Sequence, residues 1–149
     1  GSGWESRSIL DAVSKTDTLY FDRISQIRMP RWSTGRVALV GDSAFCPSLL
    51  SGQGTALAMI GAYMLAYHLE RCSGDYTKAF SAYEQSLTAF MHKKQRAAEQ
   101  FSGAFAPKTA FGLFFRNQIT KFFSIPFVAD LAMGSGLKDA IELPEFKAA

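Results

Sequence analysis

The pattern of apolar and polar positions is clearest in the second half of the chain. From Tyr76 to Phe101, apolar residues recur at helical spacing and form one stripe: Tyr76, Ala79, Phe80, Tyr83, Leu87, Phe90 and Met91. Charged and amide side chains mostly lie off this stripe, which predicts an amphipathic helix with one buried face. We expect the basic run from His92 to Arg96 to lie on the solvated face, and a break at residues 102–107. Gly74 and Asp75, just before the helix, are typical of a helix end followed by a new N-cap.

Four other segments have helical spacing. Thr55 to Arg71 is apolar nearly all round, which predicts a helix buried on most sides, with Gly61 explained by the close approach of a neighbouring backbone. Trp4 to Val13 predicts a short helix with its apolar face turned inward. Lys108 to Phe123 predicts an aromatic-rich helix that either packs into a core, the favoured alternative, or lines a hydrophobic substrate channel. Ile125 to Met133 predicts a last short helix.

Two segments have the pattern of β-strands. Leu19 to Met29 alternates and is rich in β-branched and aromatic residues, which predicts a strand that ends at Pro30. Val37 to Val40 is a short apolar run, which predicts a buried strand that stops at Gly41 and Asp42. Together with the helices, these strands predict an α/β fold that is mostly α-helical.

Composition and charge narrow the class of protein. The chain has 149 residues, 48% of them hydrophobic, with 13 phenylalanines, which excludes a disordered chain. The net charge of +3 is mild and the basic residues are scattered, so no nucleic-acid partner is expected. Cys46 and Cys72 lack the spacing of a metal site, so we expect no metal and two free, buried thiols in a cytoplasmic protein.

A membrane span is considered because residues 43–69 contain no Asp, Glu, Lys or Arg. Pro47 and the Gly52-Gln53-Gly54 turn interrupt the first third of this segment. The helical remainder is shorter than the ~20 apolar residues that cross a bilayer. A buried core helix is therefore favoured over a membrane span.

Candidate chemistry is concentrated where the predicted Val37–Val40 strand ends. Asp42 follows the strand, and its carboxylate either accepts hydrogen bonds from a sugar or ribityl hydroxyl or caps a loop; the residue pattern leaves both open. Gly52-Gln53-Gly54 opens the next helix, whose first N–H groups carry about half a positive charge. The glycines let a flat ring approach the backbone. No Gly-Lys-Ser/Thr sequence follows, which excludes a P-loop.

The residues from Gly35 to Asp42, with Gly52-Gln53-Gly54, resemble the second FAD-binding motif of class A flavoprotein monooxygenases. This is the p-hydroxybenzoate-hydroxylase-like family, which includes tetracycline-inactivating monooxygenases. The resemblance implies the C-terminal part of a Rossmann-like, three-layer FAD/NAD(P)-binding domain with a helical extension. Residues 1–34 would end the substrate domain, 35–72 would carry the FAD motif, and 73–149 would form the C-terminal helical region.

The resemblance also implies roles for particular residues. The FAD-binding positions would be Gly41, Asp42, Pro47, Gly52, Gln53, Gly54 and Thr55. The substrate-side positions would be Phe45, Leu49 and Leu50. Asp42 would bind the ribityl chain, and the glycine turn would lie beside the isoalloxazine ring. NAD(P)H would reduce the flavin, and O₂ would supply the oxygen atom that is transferred to an aromatic or polyketide-like small molecule. No catalytic side chain is predicted.

One part of the family's pattern is absent. The chain contains no Gly-x-Gly-x-x-Gly sequence, the motif that holds the FAD pyrophosphate. We therefore expect the C-terminal portion of a longer enzyme, inactive alone and completed by an N-terminal portion in the same or a separate chain. Two other hypotheses stay open: a non-catalytic interaction module that forms homo-oligomers through exposed apolar surface, and a flavin reductase or dehydrogenase of the same fold.

Overall fold

The fold is mostly helical. A computed structural model of the protein describes residues 4–122 and 141–146. Its elements in chain order are α1 (Ser6–Ser14), β1 (Ser33–Thr34), β2 (Val37–Ala38), α2 (Asp42–Phe45), a 3₁₀ turn (Leu49–Ser51), α3 (Gly54–Arg71), α4 (Tyr76–Phe105) and α5 (Ala110–Phe122). β1 and β2 pair antiparallel, with Ser33 opposite Ala38. The helix predicted from Ile125 to Met133 lies outside the described residues.

The core lies where α3 and α4 pack together beneath the short hairpin. Its buried members are Trp32, Ala44, Phe45, Leu57, Met64, Tyr83, Leu87 and Met91. The ring of Trp32 lies 4.8 Å from that of Phe45 and 5.6 Å from that of Tyr83, measured between centroids. Since Tyr83, Leu87 and Met91 come from the predicted stripe, the amphipathic pattern of α4 is confirmed.

The boundary between α3 and α4 is also confirmed. Gly74 has a φ of +81°, and its N–H donates to the carbonyl of Leu69 at 2.9 Å. The carboxylate of Asp75 accepts hydrogen bonds from the N–H groups of Thr77 and Lys78, as an N-cap does. The far end of α4 differs from the prediction, because the helix continues to Phe105. It ends there because the residue before a proline, here Ala106, is disfavoured in helical conformation.

The predicted strand from Leu19 to Met29 is wrong. The segment has no regular secondary structure. Its one backbone hydrogen bond to a distant residue among those described joins Ile27 N–H to the carbonyl of Cys46 at 3.1 Å. A strand needs a ladder of such bonds, and side-chain pattern alone does not supply one. The predicted strand from Val37 to Val40 is real only at its first two residues, and Val37 is exposed rather than buried.

Helices α1, α3 and α5 are less buried than the sequence predicted. In α3, Leu57, Gly61 and Met64 are buried, but Met59 is 69% exposed, so the helix is covered on one face. No side chain of α1 is buried, and its predicted inward face is open. The aromatic stripe of α5 is likewise exposed, at Phe111, Phe114 and Phe115. Within the described residues it forms neither a core nor a channel.

The basic run on α4 is not wholly solvated. His92, Lys93 and Arg96 are exposed, whereas Lys94 is 6% and Gln95 1% exposed. Gln95 follows Met91 by four residues and therefore continues the buried stripe. Lys94 likewise follows Phe90, and its ammonium lies 5.5 Å from the centre of that ring, a cation–π contact.

The structure bears on two predictions made from composition. Cys46 and Cys72 are free thiols, but both are half-buried rather than buried. Across residues 4–122 and 141–146, no helix combines the length and the apolar character needed to cross a membrane.

The buried phenol of Tyr83 predicts a loss of stability in alkali. Burial and the nearby charge of Glu84 raise the pKa of Tyr83 above its ordinary value of 10.0. The unfolded chain therefore loses this proton first, so the stabilisation is complete below about pH 10 and falls as the pH rises further. We expect the free energy of unfolding, from urea titrations at about pH 8 to 11, to fall more steeply for the unsubstituted protein than for Tyr83→Phe.

The same variant is informative at neutral pH. Tyr83 donates its hydroxyl hydrogen to the carbonyl of Leu39 at 3.2 Å, so Tyr83→Phe should cost about 1 kcal/mol at pH 8. This difference should shrink above about pH 10. A difference that stays constant across the range would contradict the prediction. Tyr20→Phe, at an exposed tyrosine, serves as the matched control.

Candidate functional site

The fold brings the two predicted halves of the site together. Gly41 has a φ of +68°, and a Cβ at this position would lie 3.1 Å from the Cβ of Ala58, so the turn requires glycine. The turn begins α2 at Asp42 and directs its carboxylate to the start of α3. A Cβ on Gly54 would lie 3.7 Å from Oδ1 of Asp42. The sequence showed only that Asp42 precedes the glycine turn along the chain. The structure shows that the two are also neighbours in space.

The carboxylate of Asp42 is available to a ligand. Its side chain is exposed, and it makes no hydrogen bond or ion pair with any other residue that the structure describes. An ionised carboxylate accepts hydrogen bonds only, and it does so strongly. The site thus offers an acceptor that the fold itself does not use.

The start of α3 supplies donors beside this acceptor. Gln53 occupies the N-cap position of this 18-residue helix without a side-chain cap. The first N–H groups of a helix have no intrahelical partner and carry partial positive charge. Gly52 has a φ of +61°, and a Cβ there would meet nothing within 4 Å. The backbone around Gly52 and Gly54 is therefore open to a flat group, and Thr55 is exposed beside it.

The loop between α2 and α3 is held by its own hydrogen bonds. The carbonyl of Ser48 accepts from the N–H of Ser51 at 3.2 Å and from its hydroxyl at 2.9 Å. The hydroxyl oxygen of Ser51 accepts in turn from the N–H of Gln53 at 3.2 Å. Pro47 is fully buried, whereas Leu49 is 87% exposed and Leu50 half-buried. Of the predicted loop residues, Leu49 thus points outward and Pro47 inward.

Phe45, which the resemblance places on the substrate side, is buried in the core of this chain. Its ring is 2% exposed and packs against Trp32 and α3. A Cβ at Gly61 would lie 2.7 Å from Cζ of Phe45. The close neighbour of Gly61 is therefore an aromatic ring, and the predicted approach of a backbone is wrong.

Two residues that support the loop were missed by the sequence analysis. Gln95 and Gln26 donate hydrogen bonds to the carbonyl oxygens of Cys46 and Pro47. One signal was present in the sequence, because Gln95 follows Met91 at the spacing of the buried stripe. Gln26 carried no such signal, since its partners are set only by the tertiary fold.

The carboxylate of Asp42, which has no partner among the described residues, lies beside the uncapped N-terminus of α3. In α/β proteins an arrangement of this kind is suited to binding a cofactor. No protein-family model matches the chain. A flavin-dependent monooxygenase of Legionella longbeachae is 44% identical over 106 residues, which cover 71% of this chain and 27% of that protein. Another flavin-dependent monooxygenase, from an unknown prokaryotic organism, is 37% identical over 147 residues, or 97% of this chain and 35% of its own.

The crystal structure of the tetracycline destructase Tet(55) matches with a TM-score of 0.68 and 37% identity, over 97% of this chain and 36% of that one. The chain therefore resembles flavin-dependent monooxygenases over nearly its whole length and matches the C-terminal part of these proteins. The predicted resemblance is thereby confirmed. The chain spans about a quarter to a third of the length of the curated relatives it matches.

Proposed function

We propose that this chain forms the ribityl- and ring-binding half of the FAD site in an FAD-dependent monooxygenase. The complete enzyme would hydroxylate an aromatic or polyketide-like small molecule, with NAD(P)H as the reductant. The similar proteins support a flavin as the cofactor, because they are flavin-dependent monooxygenases by name. Tet(55) is by name a tetracycline destructase, which supports a polycyclic polyketide as the first substrate class to test.

The position of Asp42 carries this proposal. Its exposed carboxylate adjoins Gly54 at the uncapped start of α3. A ribityl chain presents hydroxyl donors to such a carboxylate, and a flavin ring presents an electron-rich edge to helix N–H groups. The residues of the site therefore fit FAD in both charge and hydrogen-bonding character.

Each group of this chain then has a separate task. Asp42 accepts a hydrogen bond from a ribityl hydroxyl, which orients the cofactor. Gly52 and Gly54 leave room for the ring, and the N–H groups of α3 stabilise its electron-rich edge. Leu49 and Leu50 face the substrate side and exclude water. Bound FAD, once reduced, supplies the reaction with O₂ that inserts one oxygen atom into the substrate.

The remaining parts of the enzyme belong to the same proposal. A Gly-x-Gly-x-x-Gly motif for the pyrophosphate would come from an N-terminal portion, in the same or a separate chain. That portion would complete a three-layer, Rossmann-like domain. Large apolar side chains exposed on α1, α5 and residues 19–29 support an interface with it, because exposed apolar patches of this kind mark interaction surfaces.

Expression from the complete open reading frame tests the proposed function. We expect a yellow protein with one FAD per chain and O₂ uptake with NADH or NADPH. Uptake should rise when tetracycline or 4-hydroxybenzoate is present, and mass spectrometry should detect a product heavier by one oxygen atom. Failure to bind FAD after incubation with excess cofactor would refute the proposal. The 149-residue chain alone should bind FAD weakly or not at all, and a tight stoichiometric complex would contradict that part.

The exposed apolar surface also favours a second candidate, a non-catalytic module that associates with itself. Light scattering combined with a flavin absorbance scan separates the two functions. A colourless oligomer from the complete reading frame would support the module. A flavin reductase or dehydrogenase would instead consume NAD(P)H without transferring oxygen to a substrate.

A further inference from the structure

Two glutamines connect the loop after α2 to the middle of the long helix α4. The amide nitrogen of Gln95 donates to the carbonyl of Ile27 at 2.7 Å and to that of Cys46 at 3.4 Å. The amide nitrogen of Gln26 donates to the carbonyls of Pro47 and Gln95, both at 2.8 Å. The carbonyl groups of two consecutive loop residues are thus each bound by a glutamine.

Chemistry sets the orientation of both amide groups. Arg28 donates from Nε to Oε1 of Gln26 at 3.0 Å, so the amino group of Gln26 faces the two carbonyl oxygens. If the amide of Gln95 were flipped, its oxygen would face the carbonyl oxygens of Ile27 and Cys46, which are acceptors. The observed orientation leaves Oε1 of Gln95 buried and without a hydrogen-bond partner among the described residues. A buried oxygen without a hydrogen-bond partner destabilises a fold. If Gln95 only filled space in the core, this cost would have no compensation. The two hydrogen bonds of its amino group therefore explain the glutamine better than packing does.

The residue that follows this pair of carbonyls needs support. Ser48 has a φ of +92°, a conformation that a non-glycine residue keeps only where its surroundings hold it. The two peptide carbonyls directly before it are those bound by Gln95 and Gln26. After it, the hydroxyl of Ser51 donates to the carbonyl of Ser48 and accepts from the N–H of Gln53, the N-cap of α3. Hydrogen bonds therefore hold the chain on both sides of Ser48, from Gln95 and Gln26 before it and from Ser51 and the start of α3 after it.

We propose that Gln95 is a positioning residue for the candidate flavin site. Its amide group holds the Cys46 carbonyl and so keeps the strained Ser48 and the start of α3 in place to meet the ring. Gln95 itself lies on α4 in the core and does not contact the cofactor. The flavin part of this inference rests on the proposed function, whereas the effect on the loop does not.

The variant Gln95→Leu tests the inference, because leucine is similar in size and makes no hydrogen bond. In the complete protein, we expect the backbone amides of residues 48–55 to exchange hydrogen for deuterium about 10-fold faster. The FAD dissociation constant should rise by about 10-fold, and the visible circular dichroism of the bound flavin should change. Gln85→Leu is the matched control, since Gln85 lies exposed on the same helix and donates to Ser81. It should change none of these quantities.

The outcomes separate this inference from the proposed function. Unchanged exchange at residues 48–55 in Gln95→Leu overturns the positioning role. So does faster exchange together with unchanged FAD affinity. If the unsubstituted protein binds no FAD, the proposed function fails, and exchange alone decides whether Gln95 holds the loop. If Gln95→Leu does not fold, Gln26→Leu replaces it, because half-buried Gln26 binds the adjacent Pro47 carbonyl, and the same faster exchange is expected.

Discussion

Replacing Asp42 with alanine should weaken FAD binding by about 10- to 100-fold, because a hydrogen bond to a charged group contributes about 1.5–3 kcal/mol. The thermal stability of the protein without cofactor should stay unchanged. The side chain is exposed and has no partner among the described residues, so its removal takes nothing from the core. FAD titration by fluorescence, on protein from the complete reading frame, measures the first quantity, and thermal unfolding measures the second.

Two further variants make the Asp42 result specific. Asp42→Asn keeps a hydrogen-bond acceptor but loses the charge, and its FAD affinity should lie between those of the unsubstituted protein and Asp42→Ala. Asp17→Ala removes the same groups from an exposed position in the turn after α1 and should leave FAD binding unchanged. If Asp42→Ala binds FAD as tightly as the unsubstituted protein, Asp42 does not hold the ribityl chain.

Replacing Gly61 with valine should lower the free energy of unfolding by about 3 kcal/mol, the upper part of the range for an overpacked core. Even a single Cβ at this position would lie 2.7 Å from Cζ of Phe45 and 3.5 Å from the hydroxyl of Tyr83. The ring of Phe45 is 2% exposed and rests on Trp32, so it has little room to move. A urea titration measures the loss.

Replacing a glycine within a helix also raises helix propensity, which partly offsets the steric cost at Gly61. The size of this favourable effect can be measured at a second helical glycine. Gly103→Val is the control, because Gly103 lies exposed in α4 and a Cβ there would meet nothing within 4 Å. Its effect should stay within about 1 kcal/mol, the scale of helix propensity. In the background of Phe45→Leu, which removes Cζ, Gly61→Val should cost about 1 kcal/mol less. Equal losses at Gly61 and Gly103 would refute the steric explanation.

Helices were predicted well because their signals are local. The period of the α4 stripe and the Gly74-Asp75 boundary each involve residues within one or two helical turns. The strand predicted from Leu19 to Met29 failed because a strand exists only with a paired neighbour. The burial predicted for α1, α3 and α5 failed for a related reason. An apolar face shows that a helix can be covered, but other segments determine whether it is.

In the candidate site, too, short sequence motifs could be predicted, whereas contacts between distant residues could not. The sequence by itself determined the Gly41-Asp42 pair, the Gly52-Gln53-Gly54 turn and, through them, the resemblance to flavin monooxygenases, because these motifs are short and contiguous. Only the tertiary structure decided that Asp42 adjoins Gly54, since that contact depends on how α2 packs against α3.

Tertiary packing also buried Phe45 against Gly61 and placed Gln26 and Gln95 on the carbonyls of the loop. These contacts join residues far apart in the chain, such as Gln95 and Cys46. Their geometry depends on the path of the whole backbone between them, which residue type and spacing do not specify. The sequence therefore determined which residues are candidates for contact with a flavin, and the packing of α3 against α4 decided how those residues are held.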